Sequence, residues 1–94
     1  MTVIRTFRDK ETEKVFLRQF SRRFQAVAAV GKRKLDHLHA ATSLLDLAAI
    51  PGNQLEALKG DRAGQHSMRI NDQFCVCFRW KDGDAYEVEI TDYH

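Results

Sequence analysis

Apolar residues keep two rhythms along this chain, helical spacing up to position 47 and strand-like alternation from position 55 onward. Residues 2–7 are rich in β-branched and aromatic side chains and predict a short first strand. Asp9 is placed to cap a helix, with Glu11 and Glu13 in the first turn, where negative charge is favoured. Phe16, Phe20, Phe24 and Val27 recur at near-helical intervals and form one apolar stripe, with Arg18, Arg22 and Arg23 off it. That stripe occupies the face a helix must bury, so it reads as core rather than as a platform for stacking bases. A second helix is predicted over residues 25–41, with Leu35 and Leu38 inward and Lys32, Arg33 and Lys34 mostly outward. Ser43 and Asp46 then mark a short helical turn through Leu47.

The run Ile50-Pro51-Gly52-Asn53 breaks the chain. Residues 55–58, 66–70, 74–81 and 85–93 follow as strands, the last three joined by turns at Asn71-Asp72 and Asp82-Gly83. The predicted fold is α+β: two N-terminal helices packed on one face of a mainly antiparallel sheet. Ninety-four residues leave no room for a second core, so residues 1–94 read as a single domain. Phe74, Val76, Phe78 and Trp80 form the core-facing set, whereas Cys75, Cys77 and Arg79 face the other side. A substrate groove is expected on that open side, although a half-solvated sheet with no function has the same pattern.

A hydrophobic fraction of 44% excludes a disordered chain. No apolar run approaches the roughly 20 residues that span a bilayer, and no signal-peptide pattern precedes residue 30, so a cytoplasmic protein without membrane contact is expected. Cys75 and Cys77 share a face, but a separation of about 6.7 Å between their Cα atoms is at the outer limit for a disulfide. They read as reduced thiols. Residues 1–39 hold ten Lys/Arg against four Asp/Glu, a balance of +6, and residues 40–94 hold five against nine, a balance of −4. The basic half suits a polyanion or an acidic protein partner, or is simply a solvated helical face.

The loop Lys59-Gly60-Asp61-Arg62-Ala63-Gly64 carries two cations able to neutralise phosphate oxygens. It is no P-loop, because the order is Lys-Gly and no helix follows. His66 opens a strand and His94 follows the last one, each a candidate for proton transfer, or an inert surface histidine. No His/Cys/acid cluster has metal-ligand spacing, and no nucleophile elbow occurs, so no metal or cofactor is expected.

The carboxyl-terminal pattern is more specific. Leu55, Leu58, Lys59-Gly60-Asp61-Arg62 and Gly64 are followed by Asn71-Asp72-Gln73, Cys77-Phe78, Trp80 and a closing Asp92-Tyr93-His94. These motifs, in this order, resemble the HigB branch of the RelE-type bacterial toxins, and the resemblance runs over essentially the full length. It implies a RelE-like fold and metal-independent, ribosome-dependent cleavage of mRNA in the ribosomal A site. It also implies a helix-turn-helix, HigA-like antitoxin, with operator DNA engaged only through that antitoxin. Carried over by position, Asp92, Tyr93 and His94 form the terminal catalytic cluster, with His94 the leading acid or base and Tyr93 against the substrate. Lys59 and Arg62 match the basic loop; beside them, His66, Arg69 and Arg79 are further RNA-binding candidates from their own places on the strands. Glu56 stands where some members have histidine, so that role does not carry over.

Cys75 departs from the pattern at a catalytic position where the family has arginine. A thiol cannot supply a delocalised cation with five donors. The resemblance therefore implies an attenuated enzyme, with Arg69 or Arg79 as the available substitute. The alternative is a catalytically inactive toxin-like module that only binds its antitoxin and takes part in operator regulation. A general RNA-binding protein using the basic helices is a third reading.

Overall fold

A computed structural model describes residues 3–92. Three helices, α1 (Lys10–Phe16), α2 (Ala28–Ala40) and α3 (Leu44–Ala48), precede four strands. These are β1 (Glu56–Ala57), β2 (Gln65–Arg69), β3 (Cys75–Lys81) and β4 (Asp84–Thr91), an antiparallel meander in the order β1-β2-β3-β4. The architecture is α+β, as the two rhythms predict. Asp9 caps α1 by accepting from Thr12 N at 3.3 Å, and Ser43 caps α3 by accepting from Asp46 N at 3.3 Å. Asp82 and Gly83, at φ of 53° and 81°, make the two-residue turn that joins β3 to β4.

The core lies between the helices and one sheet face. Phe24, Leu35, Leu38 and Leu47 meet Met68, Val76, Phe78, Val88 and Ile90, all fully or almost fully buried. Burying each such side chain is worth about 1.5–3 kcal/mol. Phe74 and Trp80, expected in the same set, pack at its margins and are only half-buried. Gly31 lets α2 approach β4 closely, since a Cβ there would lie 3.2 Å from Ile90 Cδ1.

Four expectations change. Residues 3–8 form two isolated parallel bridges to β4, Ile4 with Ala85 and Phe7 with Val88, instead of a continuous strand. Between those bridges the Glu87 N–H donates to Thr6 Oγ1 at 2.8 Å, so the ladder is interrupted. Phe20 is 71% exposed, because α1 stops at Phe16 and Arg18 adopts a left-handed φ of 61° that turns the chain away from the stripe. The second helix begins at Ala28, with Gln25–Val27 in a 3₁₀ turn.

Lys34 does not face outward. It is buried and donates to Asn53 Oδ1 at 2.6 Å, while Asn53 Nδ2 donates to Leu47 O at 3.1 Å. Burial, and then the nearby Arg33 charge, hold the Lys34 pKa below its ordinary value. Asn53 O in turn accepts from Arg69 N at 2.7 Å, which ties the Pro-Gly loop to the end of β2.

Candidate functional site

Three cross-strand rows line the sheet face opposite the core. Arg69, Cys75 and Thr91 form the first; Glu56, Ser67, Cys77 and Glu89 the second; Gln65, Arg79 and Tyr86 the third. Neither cysteine joins the helix-covered core. The face is nevertheless not open around the thiols, since Cys75, Cys77, Ser67 and Gln65 are all buried. Arg62 explains part of this. Its Nη1 donates to Gln65 Oε1 on β2 at 3.0 Å and to Glu89 Oε2 on β4 at 3.3 Å, so the guanidinium spans β3. Arg8 reaches the same Glu89 oxygen at 3.5 Å.

The two thiols lie 3.5 Å apart, Sγ to Sγ, and Cys75 Sγ also donates to Thr91 O at 3.6 Å. The hydrogen bond with Cys77, followed by burial, holds the Cys75 thiol far above its ordinary pKa. The same hydrogen bond holds Cys77 below its own. Position 75 is therefore a neutral thiol and offers no positive charge to a phosphate.

A polar cavity of about 200 Å³ opens at this end of the sheet, lined by Glu56, Ser67, Arg69, Asn71, Asp72 and Cys75 among others. Arg69 is ion-paired with Asp72. Asn71 Oδ1 shapes the turn below it by accepting from Gln73 N at 2.8 Å and Phe74 N at 2.7 Å. Asp92 follows Thr91, the partner of Cys75, and accepts from Gln73 Nε2 at 3.4 Å. Tyr93 and His94 lie outside the described residues.

The fold thus brings Arg69, Cys75 and Asp92 to one end of the sheet, with Arg62 bridging the next row. It leaves three expected residues elsewhere. Arg79 sits four residues along β3 from Cys75, about 13 Å away, in an ion pair with Glu87 at 2.7 Å. Lys59 is exposed just before the 3₁₀ turn Gly60–Arg62 and lines no part of the Cys75 cavity. His66 is on the wrong face: its ring stacks on Phe78 at 6.0 Å, and its buried Nδ1 has no hydrogen-bond partner among the described residues. Its alternation with Met68 was the signal available for that placement. Ser67 and Glu89 were missed although the same alternation marks them; Arg8 had no local signal at all. Among the described residues, no group of three or more His, Cys, Asp or Glu side chains could hold a metal ion, and no helix is long and apolar enough to cross a membrane.

This α+β antiparallel meander, with a polar cavity beside Cys75 at the start of its third strand, has the fold of the RelE-like toxins. Residues 5–94 match the family model of the RelE-like toxin of the type II toxin–antitoxin system HigB, and the chain belongs to that family. It is 45% identical over 53 residues to Toxin HigB-1 of Vibrio cholerae, spanning 56% of this chain but also only 56% of that protein. It is 29% identical over 73 residues to Endoribonuclease HigB of Proteus vulgaris, covering 71% of this chain and 79% of that one. Among solved structures, a histidine-to-glutamine mutant of YafQ from E. coli superposes with a TM-score of 0.59 over 99% of this chain and 94% of its own. At 11% sequence identity that likeness is one of fold.

Proposed function

We propose that this protein is a ribosome-dependent endoribonuclease toxin, cleaving mRNA in the ribosomal A site, and that Cys75 attenuates it. The observation that supports this reading is the polar cavity shared by Arg69 and Cys75 at the sheet end that leads into Asp92-Tyr93-His94. In the proposed step the ribose 2′-hydroxyl loses its proton to a base and attacks the adjacent phosphate. The 5′-oxygen leaves with a proton from an acid, giving a 2′,3′-cyclic phosphate and a 5′-hydroxyl. His94 serves as the leading acid or base, Tyr93 packs against or hydrogen-bonds the substrate, and Asp92 completes the cluster. No metal enters the step, so positive side chains must offset the charge gathering on phosphorus. Arg69 is the cation best placed for this, with Arg62 contributing through its field at Cys75. One missing preorganised donor costs about 100–1,000-fold in rate.

The cytoplasmic partners are the ribosome with its mRNA and a HigA-like helix-turn-helix antitoxin, through which operator DNA is reached. A second reading, a toxin-like module that only binds its antitoxin, is favoured by the neutral thiol at position 75 and by the engagement of Arg62 with Glu89. Purified ribosomes programmed with a defined mRNA, followed by primer extension, separate the two. Weak, ribosome-dependent cuts at the A-site codon are expected. Absence of cutting by both the parent and Cys75→Arg, with antitoxin binding intact, favours the binding module.

A further inference from the structure

The far end of the same sheet face carries a second built feature. Val88 and Ile90 of β4 point into the core, so strict alternation would carry Tyr86 inward with them and turn Ala85 outward. The opposite is observed: Ala85 is fully buried, and Tyr86 is registered with Arg79 on the outer face. A one-residue bulge causes this. The pairing shifts between Cys77 and Arg79, so that Glu87 and Val88 together oppose Phe78. Glu87 takes a left-handed φ of 52°, a costly backbone for a residue with a Cβ, and is held there by its bond to Thr6 Oγ1. Strain of this kind persists where it re-aims a side chain.

The re-aimed side chain joins a cleft of about 540 Å³ bordered by Tyr86, Trp80, Arg79, Lys81 and Gly64. Gly64, at a left-handed φ of 91°, lies against the end of the Arg79 side chain, where a Cβ would come within 2.8 Å of Arg79 Nη1 and displace it. Arg79 gives its Nε to Glu87 and keeps further donors on its terminal nitrogens. The half-buried Tyr86 ring offers a face for a base, and Arg79 with Lys81 offers charge for its phosphate, with the Glu87 carboxylate, also at the cleft, taken up by Arg79 Nε.

We propose that this cleft is a nucleotide subsite, in which Tyr86 stacks on a base of the RNA and Arg79 with Lys81 holds the adjoining phosphate. The assignment rests on the RNA-cleaving reading. It places the bound nucleotide about 13 Å along β3 from Cys75, so the nucleotide held is not the one cleaved. The bulge at Glu87 is the positioning device.

Trp80 is the only tryptophan of the chain, so intrinsic fluorescence reports on this cleft. The protein alone, with no ribosome, is titrated with each of the four 5′-ribonucleoside monophosphates and with ribose 5-phosphate as the base-free probe. Saturable quenching by at least one nucleotide, and none by ribose 5-phosphate, is expected. Tyr86→Leu keeps apolar bulk without a ring and should weaken binding about tenfold or more, the scale of one lost base–aromatic stack. Tyr86→Phe should retain it, because stacking uses the ring and not the hydroxyl. Absence of saturable quenching, equal quenching by ribose 5-phosphate, or unchanged affinity in folded Tyr86→Leu overturns the proposal. Because the readout needs neither ribosome nor cleavage, a failure of nucleotide binding at this cleft is told apart from a failure of the catalytic reading.

Discussion

Arg69 and Cys75 are direct cross-strand partners on β2 and β3, and both line the polar cavity at the end of the sheet. Arg69 is therefore the cation that shares both a cross-strand pair and the cavity with position 75, while Arg62 is close enough for its charge to act on the Cys75 thiol. Arg79, in the third row, belongs to another neighbourhood. Arg69→Ala should lower the residual cleavage rate by about 100-fold or more, the usual cost of one electrostatic donor. Arg79→Ala should act mainly through apparent substrate affinity. Single-turnover cleavage at varied ribosome concentration separates rate from affinity, and equal rate losses in the two variants would show that Arg69 is not the substitute.

Cys75→Arg should raise ribosome-dependent cleavage and growth inhibition by up to about 1,000-fold. Its site is not the open face that alternation suggests, since Cys75 is only 7% exposed and lies against Cys77. The larger side chain should therefore cost about 1–3 kcal/mol of stability, as overpacking usually does. In that restored protein His94→Ala should remove about 100–10,000-fold of the rate. Primer extension and urea denaturation of the same preparations check both parts.

Asn53 joins three elements, holding Lys34 of α2, Leu47 O of α3 and Arg69 N of β2. Asn53→Ala removes the side-chain acceptor of the buried Lys34 ammonium and one of the donors to Leu47 O, at a cost of about 1–3 kcal/mol. Chemical denaturation should show that loss. The backbone carbonyl that accepts from Arg69 N survives in this variant, so residual cleavage by the folded protein should change little.

Glu87→Gly relieves the left-handed backbone at the bulge while keeping the extra residue. A gain of about 1 kcal/mol is expected, reduced by the greater freedom of glycine in the unfolded chain. Thermal unfolding measures it. A clear loss would mean that the Arg79–Glu87 ion pair outweighs the strain.

Arg22 and Arg23 are exposed beside Phe20, within the basic amino-terminal half. Charge reversal of both should slow antitoxin association, and more so at low salt, because rim charges act chiefly through steering. Stopped-flow association at two ionic strengths is the measurement. Identical rates would remove electrostatics from that encounter.

Local pattern determined a good deal here. The α+β order, the caps at Asp9 and Ser43, the Asp82-Gly83 turn and the assignment of Cys75 and Cys77 to the face away from the helices all follow from spacing and side-chain type. Each depends on neighbours within a few positions, where helical and strand periods are written directly into the order of residues. Tertiary structure decided the rest. A single left-handed residue, Arg18, ends α1 and leaves Phe20 exposed, although the aromatic spacing continues without a break. One added residue at Glu87 turns Tyr86 from the core to the outer face, and nothing in the composition of Ala85-Tyr86-Glu87-Val88 marks it. Lys34 is drawn inward by Asn53, 19 positions away, and Arg62 is held by Glu89, 27 positions away. Such pairings arise only when distant segments are packed together, because a hydrogen bond between them depends on distances that no local period encodes.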